Sequence, residues 1–253
     1  MNKSSAIKFI IISLFAIAMG YLESAVVVYL REIYYPAGFT FPLRTMTGKI
    51  AVTEVYRELA TIIMLAGIGY LAGKNRIQRF GVFLYAFGIW DIFYYVFLYL
   101  LTGWPDGLFT WDILFLIPVT WVGPVLAPTL NALTMCILGG LIYFYEERDI
   151  HIRIGWQAWA LLIIGSAIIL VSYTQDYLHY VAARMPLTDL FRPSESEKVV
   201  AAATQYIPKR FNWWVFGVGQ GMLMVAVVAI FSRIGSSDVA CNVATTSKND
   251  NFA

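Results

Sequence analysis

Long apolar runs alternate with short charged clusters along the whole chain. Residues 8–30, 51–73, 80–101, 154–174 and 211–231 are each about 20 residues of nearly unbroken apolar sequence, the length that carries a helix across a bilayer core. A further block, 111–145, has 35 residues (145 − 111 + 1) and as one straight helix would measure roughly 50 Å, against a core of about 30 Å. It must bend or break. Pro118, Gly123, Pro124 and Pro128 place the break early, since proline removes a donor and clashes with the preceding turn. The pattern predicts a partial helix at 111–117, an irregular stretch to about 124, and a full span to 145. The fold class is therefore all-α, a polytopic transmembrane helical bundle of six spans, with the segment near 111–128 broken; seven spans, split near Pro128, is the alternative. The alternating polar face that a membrane barrel needs is missing from these runs.

Residues 1–231 then form a single transmembrane domain, and 232–253 a polar tail without fixed structure. The first run starts after Lys3 and Lys8, and Ala16 and Ala18 have the spacing of a signal-peptide cleavage site. Because the apolar stretch continues to Leu30, a retained first span is the expectation. The loop 31–50 holds paired tyrosines, prolines and phenylalanines, which suits an aromatic segment at the interface. A long loop is expected over 175–210, containing His179 and a surface helix capped by Ser194 or Ser196. Gly217 and Gly221 have the small-residue spacing of close helix contacts, and offer a site for a homo-oligomer.

Composition agrees with the pattern. Hydrophobic residues make up 59% of the 253 and charged residues 13%, about half the share of charge in soluble domains. A net charge of +2 without a basic aromatic patch leaves nucleic acid out as a partner and the lipid bilayer in. Cys136 sits in an apolar run and Cys241 in the tail, so no disulfide between them is expected. His151 and His179 are too few for a histidine-rich metal centre, and no cofactor motif is present.

The informative residues are the polar exceptions. Charged groups at membrane depth are costly, mostly face the interior or water, and so mark candidate sites. Glu23 lies within the first span. Glu54, Arg57 and Glu58 share one face at the start of the second, Arg57 placed to pair with Glu23 or with its own neighbours. Asp91, after Trp90, is near the middle of the third with Tyr95 one turn onward, and Asp112, after Trp111, is placed to cap the partial helix. Both Trp-Asp pairs also fit plain interface anchors, and Glu54 and Glu58 are close enough to the span end to snorkel. These six residues are the candidate substrate or ion pocket. Their spacing matches no metal motif, so no metal is assigned, and no catalytic residue is identified.

Sidedness rests on short loops. Nine of the 18 basic residues fall on each side of a six-span chain, but the 74–79 turn holds Lys74, Arg76 and Arg79 whereas 102–110 holds none. Both termini are therefore expected to be cytoplasmic, which puts the six candidate residues in the outer half of the bundle.

The segments GYLESAVVVYLREIYYP and WDIFYYVFLYLLTGWPDGLFTWDILFLIPVTWVGPVLAP resemble a family of bacterial multi-span membrane proteins without assigned function, over about the first 145 residues. The resemblance implies a bacterial inner membrane and no activity, substrate or cofactor. Three readings stand at this point: binding or translocation of a small solute, ion or proton; a membrane-embedded enzyme acting on a lipid or isoprenoid; and a structural or accessory subunit.

Overall fold

The computed structural model describes residues 3–44, 48–117, 119–191 and 204–249. Pro118, and the stretch 192–203 that carries most of the surface helix expected behind Ser194 or Ser196, lie outside them. Among the described residues, six helices are long and apolar enough to cross a membrane: α1 (Lys3–Tyr34), α2 (Gly48–Ala72), α3 (Arg76–Thr102), α4 (Leu126–Glu146), α5 (Trp156–Ala182) and α6 (Trp213–Asn249, of which Trp213–Ser232 has that composition). The bundle is all-α and polytopic, with six candidate spans among the described residues and no split of the Leu126–Glu146 helix near Pro128. Side chains such as Leu71, 81% exposed, and Trp214, 87% exposed, stand on its outside, where lipid would cover them.

Two apolar cores organise the helices. One joins Ile12, Ala16 and Met19 of α1, Leu65 of α2, and Val82, Ala86 and Trp90 of α3. The other joins Leu138 and Ile142 of α4, Leu162 and Ile169 of α5, and Leu223 and Ala226 of α6. The seam between them is the α3–α4 pair, where glycine lets the backbones touch. A Cβ on Gly88 would stand 2.5 Å from the carbonyl oxygen of Ala132 and 2.7 Å from Cys136 Sγ. Association of helices in lipid depends on such close approaches, because lipid tails are as apolar as the helix faces. α5 and α6 meet in the same way, but through Gly165 and Gly219: a Cβ on Gly219 would lie 2.8 Å from the Gly165 carbonyl. Gly217 and Gly221, expected at a close contact, have nothing within 4 Å. Two residues rotate a helix by about 200°, so if Gly219 faces inward its neighbours two away face out.

The proline-rich block breaks where expected but into a different structure. In place of a partial helix at 111–117 there is an antiparallel hairpin, β1 (Trp111–Phe115) with β2 (Trp121–Pro124). Trp111 pairs with Pro124, Asp112 with Gly123, Ile113 with Val122 and Phe115 with Trp121, with an irregularity between Ile113 and Phe115. Strand pairing satisfies backbone groups that a proline-broken helix would leave bare, a condition for non-helical backbone among spans. The ladder ends at Pro124, which has no N–H to donate. The start of α4 is satisfied by the preceding loop: Val125 N–H donates to Thr110 O at 3.0 Å and Leu126 N–H to Leu108 O at 2.8 Å.

One further boundary moves. α5 runs to Ala182, through Gln175 and His179 of the expected loop; Tyr173, Tyr177 and Val181, spaced by four, form a stripe, and the latter two pack with Val122 of β2 and Tyr206. α6 is helical from Trp213 to Asn249, and no proline lies within it.

One end of the bundle is a polar latch. The Glu147 carboxylate, with a side chain 3% exposed, takes Lys74 Nζ at 2.9 Å, Gln78 Nε2 at 2.8 Å and the Ser5 hydroxyl. Glu146 beside it accepts from Asn75 Nδ2 at 2.7 Å and from the Ile152 N–H at 2.8 Å. The start of α1, the α2–α3 turn and the α4–α5 connection are thereby tied together. At the other end the 35–44 loop lies with Phe39 against Trp104 and Phe41 against Tyr206. The described loops thus sort alternately to two ends, as consecutive spans require.

Burial alone would raise the Glu147 carboxyl, but the hydrogen bonds from Ser5, Lys74 and Gln78 and the charge of Lys74 overcome it and hold it down at about 2, against an ordinary 4.5. A depressed carboxyl contributes stability that is complete above its unfolded value and is lost as pH falls through its folded one. Glu147→Gln should therefore melt below the unaltered protein at pH 7, and the gap should close as pH falls from about 4.5 toward 2. A gap of constant size across that window would show that Glu147 is not charged in the latch.

Candidate functional site

Between the latch-free end and the middle of the bundle lies a cavity of about 530 Å³. All six candidate residues line it: Glu23 from α1, Glu54, Arg57 and Glu58 from α2, Asp91 from α3 and Asp112 from β1. The hairpin forms part of its wall, with Ile113 to Leu116 and Trp121, so the break in the fourth apolar block is what opens the space.

The charges are arranged in three ways. Arg57 serves two acids, Nη1 to Glu23 Oε1 at 2.5 Å and Nε to Glu54 Oε2 at 2.7 Å. The pairing of Glu23 with Arg57 across consecutive helices is thus present. Glu58 is 8% exposed rather than snorkelling, because it holds the hairpin: both of its oxygens accept from the Leu116 N–H, at 3.1 and 3.0 Å. Asp112 does not cap a helix, since β1 replaces that helix. It is 2% exposed and accepts from Tyr95 Oη at 3.1 Å and Tyr94 Oη at 3.5 Å, with Arg31 Nη2 at 3.7 Å. Asp91 differs from the rest. Among the described residues no hydrogen bond or ion pair reaches it.

Several lining residues escape the sequence reading. Arg31 stands two turns beyond Glu23 and is flanked by aromatic rings, 3.8 Å from the Trp104 centroid and 4.6 Å from that of Phe39. Its spacing from Glu23 and Val27 on one helical face is the signal that finds it. Asn131, the lone amide of the 111–145 block, lines the cavity from α4 and donates through Nδ2 to Tyr173 Oη at 2.8 Å. Trp121 stacks on Tyr173, with ring centroids 6.2 Å apart and planes 15° apart. His179, on α5, and His151, in the connection before α5, both lie outside the lining.

The cavity is amphipathic. Its charged half faces α1, α2 and the hairpin, while Leu84, Met135, Ala167, Leu170 and Leu223 carry it between α3, α4, α5 and α6 as an apolar flank. Among the described residues no three carboxylate, histidine or cysteine side chains converge closely enough to hold a metal ion. Arg57 lies between Glu23 and Glu54 where a cation would otherwise sit. Such an arrangement can bind and orient a small molecule with a polar head. No known protein family, no curated protein and no solved structure matches the chain.

Proposed function

We propose that this chain is a multi-pass protein of a bacterial cytoplasmic membrane that binds a small solute in the Asp91 cavity and translocates it. The observation that supports this most is the meeting of charged side chains from four separate segments around one space of about 530 Å³, within the range of about 300–1,000 Å³ usual for ligand sites. A merely structural bundle has no use for an acid like Asp91 that holds nothing. Enzymatic action on a lipid draws support from the apolar flank, but it lacks an activated nucleophile, since neither histidine lines the cavity.

The orientation belongs to the same proposal. The latch end carries the basic turn of Lys74, Arg76 and Arg79, so it faces the cytoplasm with both termini, and the cavity opens toward the outer side. A second copy would pack on the outward strip of Gly217 and Gly221, where space is open.

Asp91→Cys, in a background lacking Cys136 and Cys241, tests the reading. A membrane-impermeant thiol reagent added outside intact cells should modify it. Modification only from the cytoplasmic side of inverted vesicles would reverse the orientation. A thiol inert from both sides, in a protein that still folds, would remove the solute pathway.

A further inference from the structure

We infer that the ligand of this cavity is an amphiphilic primary amine, its ammonium held between Asp91 and Asn131 and its apolar tail lying along the flank of α4, α5 and α6; the inference rests on the binding function proposed above. Charge gives the sign of the ligand. The lining holds five carboxylates against two guanidinium groups, and the structure already occupies both cations. Arg57 is spent on Glu23 and Glu54, and Arg31 lies by Asp112 between two aromatic rings. An anionic head group would find no vacant cation and would meet uncompensated acid, a repulsion that specific sites use to reject wrong partners.

Hydrogen bonding gives the kind of cation. Asp91 lacks a donor among the described residues, and Asn131 Oδ1 is buried without one, its amide oriented by the bond from Nδ2 to Tyr173. The two belong to the same level of the bundle. Asp91 comes one turn after Gly88, and Asn131 immediately precedes Ala132, whose carbonyl Gly88 abuts. Two acceptors without donors call for N–H groups, which a primary ammonium has and a quaternary one lacks. Trp121 and Tyr173 are also in the lining, and aromatic rings attract positive charge. Trp90, 5% exposed, and Trp121 each present an indole N–H without an acceptor, which suits an oxygen beside the amine, as in an amino alcohol.

Shape gives the tail. A hydrated inorganic cation or a small polar amine would leave the apolar flank facing water, whereas an alkyl or aryl chain covers it. The same chemistry arises from an amine dissolved in the bilayer or from a short hydrophobic amine in water, and chain length separates the two.

The test compares probes on the protein in nanodiscs, read by native mass spectrometry and by tryptophan fluorescence, with empty nanodiscs as the blank for partitioning. Octylamine should bind at least tenfold more tightly than octyltrimethylammonium, octanol or octanoate, and Asp91→Asn should lower its affinity at least tenfold with little effect on octanol. Butylamine should bind at least tenfold more weakly than octylamine, which assigns the ligand to the bilayer; equal binding of the two overturns the role of the tail. Should Asp91→Asn fail to fold, the order of the head groups on the unaltered protein decides alone. If octanol or octanoate equals octylamine and Trp121→Ala weakens them all, the amine assignment fails while the binding site stands. If no probe of any charge binds, the binding function fails with it.

Discussion

Arg57→Gln is expected to cost more stability than any other single charge removal in the cavity. One guanidinium compensates two acids, and its side chain is 22% exposed against 13% for Glu23 and 7% for Glu54. Removing one partner of a buried pair typically costs about 3–5 kcal/mol, because the remaining charge is left where solvation is poor. Here two acids would be left at once. Glu23→Gln or Glu54→Gln should be milder, since each leaves Arg57 with its other partner. Thermal unfolding in detergent should therefore rank Arg57→Gln lowest, and the double variant Arg57→Gln with Glu23→Gln should lose less than the sum of the single losses. Strict additivity would mean that the two side chains do not interact in solution.

The second large effect is steric. Gly88→Ala should destabilise the protein by about 1–3 kcal/mol, the usual penalty for forcing a methyl into filled space. The backbone oxygen of Ala132 stands 2.5 Å from where that methyl would sit, and a backbone atom cannot swing aside as a side-chain tip can. Gly67→Ala is the matched control. It lies in α2 with nothing within 4 Å, so the substitution should be neutral or stabilising by roughly 0.5–1 kcal/mol from helix preference alone. A Gly88 variant that behaves like the control would show that α3 and α4 do not touch at this point. Since Asp91 and Asn131 flank the contact, Gly88→Ala should also weaken any binding in the cavity.

What the residue pattern discloses, and what it hides, follows from the range of the interactions involved. Span number is local: each run is long enough by itself, and the six helices come where the runs lie. The Glu23–Arg57 pair is nearly so, because an expensive charge on one helix and its opposite at similar depth on the next leave few choices. The hairpin is not local. WDILF and WVGP are short apolar and aromatic runs whose periodicity fits a strand or a helix equally. The decision lies with distant residues, Glu58 taking the Leu116 N–H and Tyr177 packing on Val122. α5 hides its last turns for the opposite reason. Gln175, Asp176 and His179 give the segment the look of a loop, while its inward stripe of Tyr173, Tyr177 and Val181 has a partner only once β2 exists. Gly219 has Val215 and Leu223 four residues away and so lacks the small-residue spacing, whereas Gly217 and Gly221 have it but face outward.

The hairpin also constrains how the chain is made. A ribosome releases it after α2, whose Glu58 grips it, but before α5, whose Tyr173 and Tyr177 wall it in. Trp121 precedes Tyr173 by 52 residues (173 − 121), which at about 5–20 residues per second is roughly 3–10 s of synthesis. During that interval β1 and β2 have one wall of their final enclosure and not the other. Their strand edges are open to mispairing for as long as translation takes to deliver the next helix, so a pause within α5 should leave nascent chains that aggregate or are degraded, while an equal pause after Ala182 should be harmless.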